Sequence, residues 1–422
     1  MKNSIVVLFW VILILSLKPA YAQQAQQPPA PEQKPAEPAE KPLEPGWLSL
    51  DSSVGVLDSK IADGKTALQN ALFGINISGY LDTSYQWGSN HPRNPNFMSG
   101  RYFDQDYNEI DWNDFHLELD KPEKDWGVGF HLAGDFGETG KLLRQATLWG
   151  KTLHKEPSAE LRESYITTTI PIGEGLQVKG GLFVTPLGTE ILLTPGSYND
   201  QISRSFAFNY AIPIRHLGTI FSYPFLKTLT GSMGIVTGWD DPYDNNGSPS
   251  GLWGVNFTPA DAFGLASNIV VGPEQAGNTN NVRFTWSNVA TVKPMDPLTL
   301  LLEYTFGVEK KAPTPTGNKN AQWYALAATG VWSWTDRFST SLRTELFLDE
   351  GASRTQGLGA TKPIFNASLG EVTMSATYKF TKMFLWRAEF RQDWANRAVF
   401  KVGANSADSN QTTLEMQLLY QF

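Results

Sequence analysis

Strand-length segments of period two fill the sequence from about residue 74 to its last residue. In "MFLWRAEFRQD", for example, Phe384, Trp386 and Phe390 alternate with Arg387 and Arg391. Apolar residues at every second position are typical of a β-strand with one apolar and one polar face. Most segments are close to the roughly 9–11 residues with which a tilted strand crosses a bilayer. The pattern predicts sixteen strands, at approximately 74–87, 108–120, 126–136, 160–171, 176–185, 214–223, 230–239, 250–258, 264–273, 281–291, 297–308, 321–334, 338–350, 368–380, 383–395 and 412–422.

Connections of alternating length join these segments. Long connections occupy 88–107, 137–159, 186–213, 351–367 and 396–411, short ones 121–125, 172–175 and 381–382, and intermediate ones 240–249 and 274–280. Outer-membrane barrels have short periplasmic turns and longer external loops, whereas a soluble β-sandwich has no reason to alternate. The predicted fold is therefore all-β, a transmembrane antiparallel up-and-down barrel of about sixteen strands, with 14 or 18 strands left open. An even number places both ends of the barrel on the periplasmic side.

The polar strand faces alone leave two interpretations open. Arg387, Glu389 and Arg391 suit the solvated outer face of a soluble sandwich, and they equally suit a water-filled lumen. In a membrane the apolar face points outward to lipid instead. The last segment, "TTLEMQLLYQF", favours a closed barrel, because a free strand edge of this kind would template aggregation. Here Leu414, Met416, Leu418 and Tyr420 are expected to face lipid and Glu415 and Gln417 to face water, with Leu419 as an exception.

The N-terminus predicts export. An apolar run from Ser4 to Leu17 follows Lys2, and Ala20 and Ala22 have the spacing of a signal-peptidase site, so residues 1–22 are expected to be a cleaved signal peptide. An uncleaved anchor is the alternative, although the run is shorter than the roughly 20 residues of a spanning helix. Residues 23–45 are rich in Pro, Ala, Glu and Gln and predict a disordered spacer. Residues 46–73 contain a candidate short helix and precede the barrel at 74–422.

Composition narrows the class of protein further. The formal charge is −8 and the sequence has no Lys/Arg cluster, which argues against nucleic-acid binding. The absence of cysteine excludes disulfides and lipoprotein attachment. The 14 Trp, 14 Tyr and 24 Phe suit an all-β protein with aromatic side chains at membrane interfaces.

Several stretches resemble a known family. They are "VKGGLFVTPLGTEILLTPGSYNDQISRSFAFNYAIPIRHLGTIFSYPF" (178–225), "GIVTGWDDPYDNNG" (234–247), "GYLDTSY" (79–85) and "NDFHLELDKP" (113–122). Together they resemble the bacterial outer-membrane β-barrel porins called porin-2 or OmpL-like. The resemblance implies an outer-membrane porin fold and no particular substrate.

The longest connection, 186–213, is the main candidate for a functional site. It is too apolar and aromatic to lie in solvent, so we expect it to fold into the lumen and narrow it. Candidate constriction residues in and next to it are Glu190, Asp200, Arg204, Arg215 and His216. Candidate pore-lining residues on the strands are Glu303, Arg343, Glu345, Lys379, Arg387, Glu389 and Arg391. A basic wall opposite an acidic loop would orient polar solutes, whereas pairing of the wall cations with Glu303, Glu345 and Glu389 would merely solvate the lumen.

These features predict a porin. Sixteen strands enclose a lumen too wide for side chains to fill, so an aqueous channel for small hydrophilic solutes or ions is expected. No catalytic residue, metal site or cofactor is expected, since the five histidines lack metal-ligand spacing and no nucleophile motif occurs. Expected partners are outer-membrane lipid and lipopolysaccharide and the barrel assembly machinery of a Gram-negative cell, with Phe422 as an assembly signal. Two alternatives stay open: a surface-interaction barrel with an occluded pore, and a hydrolase based on His116 or His131. Monomer and homotrimer both remain open.

Overall fold

A closed barrel dominates the computed structural model, which describes residues 74–93, 97–123, 127–146, 159–355, 358 and 366–422. The segments predicted as signal peptide, spacer and short helix (1–22, 23–45 and 46–73) lie outside the described residues. The barrel strands are β1 (Asn76–Gly88), β2 (Ile110–Lys121), β3 (Val128–Phe136), β4 (Ala159–Ile170), β5 (Leu176–Val184), β6 (Arg215–Leu226), β7 (Leu229–Val236), β8 (Ser250–Ala260), β9 (Phe263–Gln275), β10 (Asn278–Met295), β11 (Leu298–Ala312), β12 (Lys319–Ser333), β13 (Phe338–Glu350), β14 (Ala367–Lys379), β15 (Phe384–Ala395) and β18 (Asn410–Gln421).

The barrel contains sixteen strands, each antiparallel to its neighbours. The last strand, β18, lies between β15 and β1 and closes the ring, with Tyr80 opposite Gln421 and Gly88 opposite Thr413. Closure leaves no unpaired edge on the strand that ends the chain. The prediction of a sixteen-stranded barrel closed by the segment 412–422 is confirmed.

The outward and inward faces follow the predicted alternation. Leu414, Met416 and Leu418 are 49%, 58% and 46% exposed on the outside of the barrel, while Glu415 and Gln417 point into the lumen. Leu419 breaks the pattern for a structural reason. It lies on the lumen face and packs in an apolar cluster with Tyr80 and Leu385, against which residues of the long connection rest.

The connections at one end of the barrel are all short, and the long ones lie at the other end. The long end carries the first loop (residues 89–109), helix α1 (Glu138–Ala146), a π-helix (Ala207–Ala211) and a small hairpin of β16 (Phe400–Val402) and β17 (Ser406–Asp408). Among the described residues, no helix is long and apolar enough to cross a membrane.

The connection predicted at 274–280 is wrong in length. Strand β9 continues to Gln275 and β10 begins at Asn278, so two residues join them. The segment is polar because neither face of a sheet needs apolar side chains outside the bilayer, and backbone pairing continues without them. Because the strands extend beyond the bilayer by different amounts, the barrel wall is uneven in height. Strand β10 has 18 residues and β11 and β12 have 15 each, whereas β7 has 8.

External connections fill the half of the lumen at the long end. Phe103 from the first loop, Leu143 from α1, Phe206 from the longest connection, Leu358 and Phe400 belong to one buried apolar cluster. Wall side chains could not fill a ring of sixteen strands, and the loops supply the missing volume. The opposite half is accessible to water, since Gln177 and Asn256 are exposed.

A substitution at Gly218 tests how closely the backbones of β6 and β7 approach each other. A Cβ atom added there would lie 2.1 Å from the carbonyl oxygen of Ile235, and neither backbone can move without parting the strands. We expect Gly218→Ala to cost about 1–3 kcal/mol of stability and to lower the yield of barrel that resists unfolding in unheated SDS gels. Gly330→Ala is the matched control, because its Cβ would meet only Leu300 Cδ2 at 3.5 Å. Equal yields for the two variants would contradict the tight pairing.

Candidate functional site

The longest connection, residues 185–214 between β5 and β6, folds into the barrel and is called the inner loop below. Many of its apolar side chains are almost completely buried, with Leu187 1% exposed, Ile202 4% and Phe206 0%, whereas Ile191 is 38% exposed. Burial of such side chains stabilises the loop by roughly 1.5–3 kcal/mol each relative to exposure. The predicted inward fold of residues 186–213 is confirmed.

Wall carboxylates bind the backbone of the inner loop. Glu345 on β13 accepts hydrogen bonds from the backbone N–H groups of Phe206 (2.6 Å) and Ala207 (2.5 Å). Glu389 on β15 accepts from the N–H groups of Ile202 (2.6 Å) and Ser203 (3.2 Å). A carboxylate that accepts two consecutive backbone N–H groups fixes both the position and the direction of the chain.

A third carboxylate holds the start of the loop. Glu303 on β11 accepts from the N–H of Thr189 at 3.0 Å. Within the loop, Glu190 accepts from the N–H of Ser205 at 2.9 Å. Glu303, Glu345 and Glu389 come from every second strand, so the loop is fastened along a third of the barrel wall.

Wall arginines bind the carbonyl groups of the same stretch. Arg391 donates to the carbonyl oxygen of residue 204 at 2.6 Å, Arg343 to that of residue 203 at 3.0 Å, and Arg387 to that of residue 199. The guanidinium of Arg391 also lies 4.9 Å from the ring centre of Phe206. The loop backbone is therefore held through both its donors and its acceptors.

The wall charges pair with each other. Arg343 forms ion pairs with Glu371 and Glu190, both at 2.6 Å. Arg391 pairs with Asp393 at 2.6 Å and with Glu371 at 3.5 Å. The acidic partners are thus Glu190, Glu371 and Asp393 rather than the Glu303, Glu345 and Glu389 of the pairing alternative, which bind the loop backbone instead. The arginines meet the loop rather than an open basic surface.

Two of the remaining predicted residues, Arg215 and His216, lie away from this network. Arg215 pairs with Glu160 at 3.0 Å near the rim of the barrel. His216 is 1% exposed and contacts the carbonyl oxygen of Gly238 at 3.0 Å, at the base of the inner loop. These two residues do not meet the wall arginines.

Two further predicted residues lie near the loop. Lys379 Nζ is 6.0 Å from the ring centre of Tyr198. Burial raises the pKa of Asp200, and Arg387 and Lys379 oppose that shift.

At the end of β18, Phe422 exchanges two backbone hydrogen bonds with Gly79, at 2.9 and 3.0 Å. Its role in assembly stays a prediction.

A second charged cluster, on β2 to β4, was not predicted. Arg162 donates to Asp135 at 2.8 Å, and His116 lies between Asp135 (2.7 Å) and Glu118 (2.9 Å). The donor atoms of Asp114, His116 and Asp135 lie within 4.8 Å of one another, as in a metal site, but Arg162 pairs with both carboxylates. Arg162 thereby offsets part of the negative charge of the cluster. The sequence signal was the run of ionisable residues at alternate positions from Asp114 to Glu118.

A small cavity of about 40 Å³ lies beside this second cluster, whose Arg162 also donates to the carbonyl oxygen of Leu193 on the inner loop. Its lining includes Asp82 and Arg162 on the wall, Phe103 and Asp104 on the first loop, and Arg204 on the inner loop.

The fold and the inner loop together define the class of protein. A closed antiparallel barrel with an apolar outer face, a charged lumen and a loop folded inward is the architecture of an outer-membrane porin. The chain belongs to the family described as putative beta-barrel porin-2, OmpL-like, whose model matches residues 74–422. The expected family is thus confirmed, and the protein is an outer-membrane porin.

Solved structures show the same fold at low sequence identity. The outer-membrane channel DcaP of Acinetobacter baumannii is 12% identical, with a TM-score of 0.55 over 82% of this chain and 97% of that chain. The trimer form of OmpT, an outer-membrane protein of Vibrio cholerae, is 10% identical, with a TM-score of 0.55 over 82% and 99%. An anion-selective porin from Comamonas acidovorans is 11% identical, with a TM-score of 0.54 over 82% and 99%. A search of the curated proteins gives no significant match.

Proposed function

We propose that this porin passes small hydrophilic solutes or ions by passive diffusion, and that the inner loop sets the narrowest part of the path. The observation that carries the proposal is the fastening of the loop across the lumen by wall carboxylates and arginines. A loop held in this way keeps a fixed aperture, while Gln177 and Asn256 below it are exposed to water. No cofactor is needed for diffusion.

The residues predicted to line the constriction take two roles in this proposal. Glu303, Glu345, Glu389, Arg343, Arg387 and Arg391 position the inner loop through its backbone. Arg204 and Asp200, on the loop itself, contribute charge to the path. Lys379 adds a positive charge beside the loop. Arg215 and His216 support its base.

The remaining expected partners are also part of the proposal. We infer that the chain is exported to the outer membrane of a Gram-negative cell by a cleaved signal peptide and inserted by the barrel assembly machinery. Its apolar outer face would contact lipid and lipopolysaccharide. A homotrimer is supported by one similar structure, which is described as a trimer form.

Planar-bilayer recording of the purified protein tests this function. We expect uniform, stepwise conductance increments upon insertion, because a diffusion porin contributes one aqueous path for each barrel. Barrels that insert without producing any steps would contradict the proposal. Heat-modifiable migration in SDS gels confirms that the sample is folded.

The occluded barrel is the second candidate, because the apolar cluster of the external connections fills one half of the lumen. The bilayer measurement separates the two, since a sealed barrel gives no steps. The hydrolase alternative gains no support at His116, which is 0% exposed and has a carboxylate at each ring nitrogen, so a substrate has no access to it.

A further inference from the structure

The inner loop is bound to the barrel wall by charged groups, including Arg162 on β4, which donates to the carbonyl oxygen of Leu193, and to the first loop and α1 mainly by apolar contacts. Towards β11 to β15 its backbone is held by carboxylates and arginines, as described above. Towards the first loop and α1 its contacts are mainly apolar, through Leu192 and Phe208 against Phe103 and Leu142. Apolar contacts can part and slide without leaving charged groups unpaired, whereas charge-assisted hydrogen bonds cannot. The seam between the inner loop and the first loop, where the cavity of about 40 Å³ lies, is the side on which a path can widen.

Most charged residues around this cavity already have partners. Arg162 pairs with Asp114 and Asp135. Glu138 pairs with Lys141 at 2.9 Å. These side chains therefore have little capacity left for a solute.

Asp82 is held by neutral amides. Its two carboxylate oxygens accept hydrogen bonds from Asn113 Nδ2 at 3.2 Å and Gln417 Nε2 at 2.9 Å. Both oxygens thus have a partner on the wall.

Arg204 and Asp104 differ from these residues. Arg204 Nε and Asp104 Oδ2 are buried and have no hydrogen-bond partner within the described part of the chain, and no other lining residue of the cavity has such an atom. Arg204 is 7% exposed, and its guanidinium lies 5.4 Å from the ring centre of Phe208.

Asp104 faces Arg204 from the first loop. Its φ of +54° is a left-handed conformation that Asp tolerates better than most residues, and the first loop is held in it. Burial raises the pKa of Asp104, and among the surrounding charges Arg204 opposes that shift most strongly. One cation and one anion, each with a polar atom that lacks a hydrogen-bond partner, therefore face the same cavity from two different loops.

We propose that Arg204 and Asp104 form the selectivity-determining pair of the path, and that the solutes it favours are small zwitterions that carry one ammonium and one carboxylate group. The inference rests on the proposed function and names its substrate class. A solute carboxylate can accept from Arg204 while its ammonium donates to Asp104, so a zwitterion gains at both ends. A simple ion gains from one residue and is repelled by the other.

Reversal potentials in a dilute salt gradient test the pair. We expect Arg204→Gln to shift the permeability ratio towards cations and Asp104→Asn to shift it towards anions, each by about threefold, since the field of a partly buried charge is only weakly screened. Arg204→Lys keeps the charge and should keep the wild-type ratio. Arg397→Gln and Asp408→Asn, both at exposed positions of the last external connection, are the matched controls and should change nothing.

Liposome swelling with two isomers tests the substrate class. Glycine is a zwitterion and glycolamide is its uncharged isomer, so the pair differs in charge rather than in composition. We expect glycine to enter faster through the wild type, and this advantage to disappear in Arg204→Gln and in Asp104→Asn. Equal entry of both isomers through the wild type, or an advantage that survives in both variants, overturns the inference while conductance upholds the porin. A wild type without conductance overturns the proposed function instead.

Discussion

Replacing both Glu345 and Glu389 by alanine is expected to raise the single-channel conductance several-fold. The two carboxylates accept four backbone N–H groups of the inner loop, at positions 202, 203, 206 and 207. Each such charge-assisted hydrogen bond contributes about 1.5–3 kcal/mol. Without them the four N–H groups would be buried and unpaired, so the loop has to leave the wall to reach water. Planar-bilayer recordings of the double variant measure the result.

Glu309→Ala is the control for this experiment. Glu309 is also a buried lumen carboxylate, but its partner is Arg283 at 2.8 Å and it holds no backbone group of the inner loop. Its loss should leave the conductance near the wild-type value. A double variant with wild-type conductance and low noise would show that the carboxylates do not hold the constriction.

Loss of Arg343 is expected to destabilise the protein by roughly 3–5 kcal/mol, the usual penalty for leaving buried charges without their partner. Arg343 is 2% exposed and pairs with both Glu190 on the loop and Glu371 on the wall. Arg343→Met removes the cation and leaves two carboxylates facing each other. Urea unfolding in detergent, followed by the loss of heat-modifiable migration, measures the change.

Arg343→Lys is the conservative comparison for that measurement, and Arg397→Met is its control. Lysine keeps the charge but cannot reach both carboxylates with a planar fork, so an intermediate loss is expected. Arg397 is exposed and lies outside the network, so its replacement should be neutral. A stable Arg343→Met variant would mean that the paired charges add nothing net to folding, an outcome known for some buried ion pairs.

Strand positions and strand faces were predictable because they obey a single geometric rule. In β15 and β18 every second residue points to lipid, and the sequence alone assigned Leu414, Met416 and Leu418 correctly. The rule fails where its physical cause is absent. Beyond the bilayer β9 and β10 need no apolar face, so their extension to Gln275 and from Asn278 left no signal.

The role of a lumen charge was harder to predict than its position. Periodicity places Arg343 and Arg391 inside the barrel, but it does not show what they meet there. Their partners include residues 203 and 204, more than 130 positions away along the chain. The same limit applies to Asp104, which became a candidate only when the first loop was seen beside Arg204.

The uneven height of the barrel wall has a mechanical consequence for entry into the channel. Strands β10 to β12 rise well past β7, and two residues suffice to connect β9 with β10. A hydrogen-bonded sheet of this kind forms a stiff rim on that side of the barrel. The lower rim depends on folded loops for its closure, so an approaching molecule meets a rigid surface on one flank and a deformable one on the other. Any widening of the entrance must therefore occur at the lower rim, where loops form the edge, and not evenly around the barrel.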